Sequence, residues 1–130
     1  MRKEKLKVLI VDDSPLVVKR LFHILFEIDD VKCIGHASQY EDALRLVEKS
    51  KPDVVLLDIQ LPKKNGIDIL VSIKSKFKKV KVVMLSNFSD KYYKNLCFTS
   101  GCDYFLDKST EFEKIEGTLL NIIKHENAFC

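Results

Sequence analysis

Cysteine and histidine are scarce in this sequence, and their spacing fits no metal motif. The four cysteines stand at positions 33, 97, 102 and 130, and the three histidines stand at 23, 36 and 125. No two cysteines have C-x-x-C spacing, and the histidines complete no zinc pattern. The arrangement argues against a zinc site and is typical of free thiols buried in a reducing compartment.

Long apolar runs, linkers and low-complexity stretches are absent as well. The charged N-terminal segment leads into roughly five apolar residues, which is too short for a signal peptide or a membrane span. Only three prolines and four glycines occur, while apolar residues make up 46% and charged residues 32% of the 130 positions. These values are ordinary for a globular protein. We therefore expect one folded domain over residues 1–130, cytoplasmic and without membrane contact.

Charge of one sign does not dominate the sequence. The chain has 22 basic and 19 acidic residues, and its net charge of +3 is too even to indicate nucleic-acid binding. Lysines are concentrated between positions 74 and 81, but no aromatic residues are regularly interleaved with them and no recognition motif is present. A solvated rim explains this cluster, so we expect no direct contact with nucleic acid.

What the sequence does contain is a regular alternation of two patterns. Short apolar runs at 6–11, 31–37, 54–57, 80–85 and 104–106 predict strands, and apolar residues at helical spacing follow each of them. Continuous runs such as "VVLL" at 54–57 are typical of strands covered on both faces. Ser14 and Pro15 predict the start of the first helix, and Gly101 predicts the end of the fourth. Ser109 or Thr110 predicts the start of the fifth.

Five strand–helix pairs in strict alternation predict an α/β fold. Right-handed crossovers between parallel strands place helices on both faces of the sheet. We therefore expect a doubly wound (βα)5 three-layer sandwich, flavodoxin-like, with the parallel sheet order 2-1-3-4-5. In such folds the functional site lies beyond the carboxyl ends of the strands.

Chemically active side chains follow four of these strands at that edge. Asp12 and Asp13 follow the first strand, Asp58 the third, Ser86 the fourth and Lys108 the fifth. The first and third strands are neighbours, so the three carboxylates repel one another unless a cation joins them. Oxygen ligands with open coordination positions suit Mg²⁺. A carboxylate can also attack phosphorus, while an ammonium and a hydroxyl neutralise the phosphoryl oxygens.

Four segments carry a family resemblance: "VLIVDDSPLV", "PDVVLLDIQLPKKNGIDIL", "VVMLSNF" and "GCDYFLDKS". In this order and spacing, and over essentially its whole length, the chain resembles the receiver domains of bacterial two-component response regulators, of the stand-alone chemotaxis-Y-like type. The resemblance implies that Asp58 accepts a phosphoryl group from a sensor histidine kinase or a histidine phosphotransfer protein. It also implies Mg²⁺ as the cofactor, bound by Asp13 directly, by Asp12 mainly through water, by Asp58, and by the backbone carbonyl of Gln60.

The resemblance assigns further roles. Ser86 matches the hydroxyl residue that moves toward the phosphoryl group, and Lys108 matches the lysine that bonds a phosphoryl oxygen. Phe105 matches the aromatic switch residue, although simple core packing explains it equally well. Pro62 and Gly66 match the loop after the phosphorylation site, where glycine permits a sharp turn.

Several positions depart from the family pattern. Ser86 replaces a commoner threonine and retains the hydroxyl, whereas Phe105 lacks the hydroxyl of the more usual tyrosine. Asn87 and Phe88 stand where small or polar residues are common, which predicts slow autodephosphorylation. Ser109 replaces a common proline whose peptide bond is often cis. Because a cis Lys–Ser bond would cost about 2.5–4 kcal/mol, we expect a trans bond.

These observations predict a phosphorylation-dependent signalling switch, not an enzyme with an external substrate; only self-phosphorylation and slow autodephosphorylation are expected. It would signal to an unknown downstream protein target through the face formed by helix 4, strand 5 and helix 5. A small aspartyl-phosphate phosphatase of the haloacid dehalogenase type is one alternative, but the sequence has adjacent carboxylates instead of D-x-D. A degenerate receiver used as a static binding module is the other. The sequence leaves open the cognate kinase, a homodimer, and whether the chain stands alone or is an excised domain.

Overall fold

The computed structural model describes residues 4–61, 65–87 and 91–128, in which strands and helices alternate. The strands are β1 (Leu6–Val11), β2 (Val31–Ala37), β3 (Val54–Asp58), β4 (Lys81–Ser86) and β5 (Tyr104–Asp107). The helices are α1 (Pro15–Phe26), α2 (Tyr40–Ser50), α3 (Gly66–Lys76), α4 (Lys91–Thr99) and α5 (Lys114–Ala128).

The five strands form one parallel sheet in the order β2-β1-β3-β4-β5. This confirms the predicted doubly wound architecture and strand order. Every residue of β3 is buried, which explains its continuous apolar run, since helices cover both faces of a central strand. The prediction erred by one residue at four strand boundaries. Strands β3 and β5 each include the acidic residue that follows the apolar run, and β4 begins and ends one residue later than predicted.

The sheet separates two apolar cores because successive side chains of a strand point to opposite faces. On one face Val8 and Ile10 belong to a cluster with residues of α1 and α5. On the other face Leu9 and Val11 belong to a cluster with residues of α2, α3 and α4. The described helices therefore lie two on one side and three on the other, as the three-layer sandwich requires.

Local signals set the ends of several helices. The Ser14 hydroxyl accepts a hydrogen bond from the backbone N–H of Val17 at 3.3 Å, and Pro15 is the first helical residue, as predicted. Gly101 follows α4 with a φ of +106°, in the region that favours glycine, so this predicted helix end is confirmed. The predicted start of the fifth helix at Ser109 or Thr110 is wrong. Those residues form a turn, and α5 begins at Lys114.

At the amino edge of the sheet, two aspartates that each precede a strand accept hydrogen bonds from the neighbouring strand. Asp53, before β3, accepts a hydrogen bond from the backbone N–H of Lys7 at 2.8 Å. Asp103, before β5, accepts one from the N–H of Val82 at 2.8 Å and one from the Nζ of Lys74 at 2.6 Å. Each carboxylate thus ties its own strand to the neighbouring one. The opposite, carboxyl edge of the sheet carries the residues that the sequence predicts to be functional.

The described cysteines are free thiols, two of them in the core. Burial raises the pKa of Cys97 to about 11 and, with Cys97 and Asp103 nearby, that of Cys102 to about 12. Both thiols are therefore protonated and unreactive at neutral pH, in line with a packing role. Cys130 lies outside the described residues. Among the helices of the described part of the chain, none is long and apolar enough to cross a membrane.

Candidate functional site

A buried lysine joins two carboxylates at the carboxyl edge of the sheet. Asp12 follows β1, Asp58 ends β3, and Lys108 follows β5. The Nζ atom of Lys108 lies 2.6 Å from Oδ2 of Asp12 and 3.2 Å from Oδ1 of Asp58. The side chain of Lys108 is only 6% exposed, that of Asp12 1% and that of Asp58 7%. The sequence predicted that these residues share one edge, and the structure brings them into direct contact.

Asp13 adds a third carboxylate to this group. One oxygen each from Asp12, Asp13 and Asp58 lies within 4.8 Å of the others, and Asp13 is exposed while the other two are buried. Three carboxylates against the single ammonium of Lys108 leave a formal charge of −2. This excess and the all-oxygen donor set fit a hard divalent cation such as Mg²⁺, with solvent access on the Asp13 side.

The charge balance also perturbs Asp58 itself. Burial raises the pKa of Asp58 to about 6; the positive charge of Lys108 opposes this rise, and the negative charge of Asp12 adds to it. In the absence of a cation, the ionised form of Asp58 therefore destabilises the folded state relative to the protonated form. A bound divalent ion would remove that cost by supplying positive charge beside the carboxylate.

Hydrogen bonds from nearby backbone N–H groups hold the two buried carboxylates in place. The backbone N–H of Ser14 donates to Oδ1 of Asp12 at 2.9 Å, and the N–H of Gln60 donates to Oδ1 of Asp58 at 3.2 Å. In both cases the aspartate side chain accepts a hydrogen bond from the backbone N–H two residues later, which forms a local turn. The second turn folds the backbone at Gln60 back toward Asp58. Gln60 is exposed, and its predicted role as a carbonyl ligand stays a prediction.

Gly66 controls how closely α3 approaches the end of β3. A Cβ atom at this position would lie 2.0 Å from the carbonyl oxygen of Asp58 and 2.9 Å from the Cα of Ile59. These are backbone atoms, which cannot move far enough to make room for a Cβ atom, so only glycine fits here. Sequence reasoning explained this glycine by a sharp turn; the structure gives close backbone approach as the reason. Its predicted loop partner, Pro62, lies outside the described residues.

Ser86 and Phe105 are the two predicted switch positions. Ser86 ends β4, is 1% exposed, and its carbonyl oxygen accepts a hydrogen bond from the backbone N–H of Lys108 at 2.8 Å. Phe105 is 7% exposed and belongs to the same apolar cluster as Met84 and Cys97. In this structure its ring is part of the core on the α2, α3 and α4 face. Of the two positions flagged for slow autodephosphorylation, Asn87 is exposed at this edge and Phe88 lies outside the described residues.

Sequence reasoning missed two features of this edge. A cavity of about 410 Å³ adjoins Asp12 and Asp13 and is also lined by His36 and Ser38, although nothing chemical was expected at the end of the second strand. A turn of hydrogen-bonded side chains also surrounds Lys108, centred on Asp107. The polar run "DKST" was a usable signal, because aspartate and serine favour such turns. The described residues contain no cis peptide bond, so the bond between Lys108 and Ser109 is trans, as predicted.

Comparison with known proteins gives the same picture. A family model described as the response regulator receiver domain matches residues 8–120. The sensory transduction protein LytT of Bacillus anthracis is 37% identical over 123 residues, which are 95% of this chain and 49% of that protein. A protein-glutamate methylesterase/protein-glutamine glutaminase of Clostridium acetobutylicum is 33% identical over an alignment of 126 residues that covers 93% of this chain and 36% of that protein. The chain thus spans between a third and a half of these two relatives.

Solved structures agree in fold and extent. The response regulator domain of CheB from Thermotoga maritima has a TM-score of 0.81 and 29% identity, covering 94% of this chain and 96% of that one. A chain of the CheX–CheY–BeF3–Mg²⁺ complex from Borrelia burgdorferi has a TM-score of 0.77 and 29% identity, covering 89% of this chain and 90% of that one. The family model spans most of the chain, and these two structures match 94% and 89% of it. The chain therefore belongs to the receiver domains of response regulators.

Proposed function

We propose that the chain is a phosphorylation-dependent switch in which Asp58 accepts a phosphoryl group. One observation carries the proposal: Asp58 ends a central strand, buried, 3.2 Å from the Lys108 ammonium and beside the carboxylates of Asp12 and Asp13. A nucleophilic carboxylate, an ammonium and an unbalanced acidic cluster are the parts that phosphoryl transfer to an aspartate needs.

The transfer can be written with the groups of this site. An oxygen of Asp58 attacks the phosphorus of a phosphohistidine on a kinase or histidine phosphotransfer protein. A phosphorus–oxygen bond forms and the phosphorus–nitrogen bond breaks, and the imidazole nitrogen leaves with the electron pair and takes up a proton. Lys108 and the Ser86 hydroxyl neutralise phosphoryl oxygens.

Mg²⁺ fits the acidic cluster and would supply positive charge that offsets the repulsion between carboxylates and an incoming phosphate. Its ligands would be Asp12, Asp13, Asp58 and the backbone carbonyl of Gln60. The Borrelia burgdorferi complex, which contains BeF3 and Mg²⁺, supports Mg²⁺ as the cation. The excess negative charge of the described cluster points the same way.

The output would arise because a group of about −2 charge arrives beside Lys108. The ammonium would give up part of its contact with Asp12, Ser86 would move toward the phosphate, and Phe105 would repack. The α4–β5–α5 face would then change shape and bind a downstream protein target. Helices α4 and α5 carry exposed apolar side chains, Tyr92 and Phe98 on α4 and Leu120 on α5, which supports their use in a contact surface.

Phosphorylation by a small donor tests the proposal directly. The chain is incubated with acetyl phosphate, with Mg²⁺ or with a chelator, and its intact mass is measured. We expect one added phosphoryl group that requires Mg²⁺, and its loss in Asp58→Asn. Asp42→Asn is the matched control, since Asp42 is an exposed helical aspartate paired with Arg45. An adduct that persists in Asp58→Asn, or none in the unaltered chain, would contradict the proposal.

A further inference from the structure

The backbone on both sides of Lys108 is held by hydrogen bonds that do not involve its ammonium group. Asp107 ends β5 and is buried, and its Oδ1 accepts hydrogen bonds from the N–H of Ser109 at 2.8 Å and from the Ser109 hydroxyl at 2.6 Å. The N–H of Asp107 donates to Oε1 of Glu111 at 3.0 Å, and its carbonyl accepts from the N–H of Glu111 at 2.8 Å. The residue before Lys108 and the residue after it are therefore tied to one another.

The residues that anchor this turn are themselves anchored. The Nζ of Lys114 lies 2.9 Å from Oε2 of Glu111. The hydrogen bonds from Lys114 and from the Asp107 backbone hold the pKa of Glu111 below its usual range, so Glu111 is ionised at neutral pH. The N–H of Lys108 donates to the carbonyl of Ser86, which joins the turn to β4. The backbone at Lys108 is thus held by its own bond to Ser86, and through Asp107 by bonds to Ser109 and Glu111.

This constraint matters because lysine is a long side chain with many rotamers. Its ammonium is a point charge on a flexible stem and lacks the rigid donor geometry of a guanidinium. The position of the ammonium therefore depends on the position of the Lys108 backbone. Here the Nζ lies 2.6 Å from Asp12 and 3.2 Å from Asp58. A small rotation of the backbone at Lys108 would be amplified at the end of the side chain and would move the ammonium away from both carboxylates.

We propose that Ser109, through its two hydrogen bonds to Asp107, is a positioning residue that aims Lys108 at the group on Asp58. The inference rests on the proposed function of Asp58. Ser109 acts through Lys108, because its N–H and its hydroxyl both donate to Asp107. The turn does with hydrogen bonds what a rigid ring at this position would do by restricting the backbone. Asp107, which is buried, gains from Ser109 two of the donors that a buried carboxylate requires.

The test measures phosphorylation kinetics in three variants. Ser109→Ala removes the hydroxyl donor, and Ser109→Thr keeps it. Ser72→Ala is the control, because it removes a comparable side-chain hydrogen bond that lies away from the turn. In that bond the Ser72 hydroxyl of α3 lies 2.8 Å from the Tyr40 hydroxyl of α2. The rate of phosphoryl uptake is followed by intact mass over a range of acetyl phosphate concentrations with Mg²⁺. Because the chain has no tryptophan, Mg²⁺ affinity is measured by calorimetry.

We expect Ser109→Ala to lower the rate at saturating donor about tenfold, because misplacement of a group that contacts the transferring phosphoryl acts on the chemical step. Mg²⁺ affinity should be unchanged, since the carboxylates are intact, and Ser109→Thr should restore the rate. A rate in Ser109→Ala equal to that of the unaltered chain, or lowered only as much as in Ser72→Ala, would overturn the inference while the proposed function stands. If the unaltered chain takes up no phosphoryl group, the proposed function fails and the inference fails with it.

Discussion

At the scale of single residues, the ionised form of Asp58 is a source of instability. Its pKa is raised to about 6, against an ordinary value of about 3.9 in an unfolded chain. The folded state therefore binds a proton more tightly than the unfolded state between pH 4 and pH 6. The contribution of this group to stability is complete below about pH 4 and is lost as the pH rises through about 6.

Asp58→Asn should therefore stabilise the protein at pH 7.5 by an amount on the order of 2 kcal/mol when a chelator is present. The gain should be smaller at pH 4.5 than at pH 7.5, and it should approach zero only below about pH 4, where the aspartate is protonated in both the folded and the unfolded state. Urea unfolding at both pH values measures the two free energies. Saturating Mg²⁺ should reverse the order at pH 7.5, because the ion binds the folded, ionised site. A gain that is the same at both pH values would contradict this account.

Gly66 is the second residue whose environment decides an outcome. In Gly66→Ala the Cβ meets the carbonyl of Asp58, and α3 or the end of β3 must shift. We expect a loss of about 1–3 kcal/mol in the free energy of unfolding, since overpacking strains the backbone, together with slower phosphorylation.

Gly117→Ala is the matched control for this substitution. Gly117 lies in α5, and a Cβ there would meet nothing within 4 Å. Replacement by alanine inside a helix should raise stability by about 0.5–1 kcal/mol. If both alanine variants change the urea midpoint in the same direction, close packing at position 66 is not what makes that glycine necessary.

At the scale of elements, Lys74 and Asp103 connect α3 to the loop before β5. The pair is partly buried, and the Nζ of Lys74 also donates to the carbonyl of Val80 at 2.8 Å. Lys74→Met should cost about 1–3 kcal/mol, because it removes hydrogen bonds to a charged, part-buried group. Arg45→Met breaks an exposed ion pair with Asp42 and should change stability by about 0.5 kcal/mol or less. Urea unfolding compares the two, and equal losses would show that burial does not strengthen the Lys74 pair.

Which elements the sequence could predict depended on how local their signals are. Apolar runs, the Ser14 cap and Gly101 act within a few residues, and they located the strands, the start of α1 and the end of α4. The start of α5 was misplaced because Ser109 satisfies the side chain of Asp107 instead of capping a helix. That choice depends on the burial of Asp107, which a single sequence does not show.

At the scale of the whole molecule, the predicted strand order is confirmed, and with it the expectation that the candidate site residues share one edge of the sheet. Asp12, Asp58, Ser86 and Lys108 are up to 96 positions apart in sequence, and only the topology brings them to one edge. The chemistry of an acidic cluster with a lysine was therefore predictable. The ion pairs of Lys108 with both buried carboxylates were not, since side-chain distances follow from packing and not from strand order.

The turn at Asp107 and Ser109 has a consequence for how such a protein can diverge. A proline at position 109 would remove both donors that the buried Asp107 accepts, and an apolar residue at position 107 would leave Ser109 without its acceptor. Neither change is neutral alone, so the two positions are epistatic. A lineage that exchanges this turn for a proline-based one must pass through an intermediate that lacks these two hydrogen bonds or change both residues together. Homologues should therefore inherit the two positions as a pair.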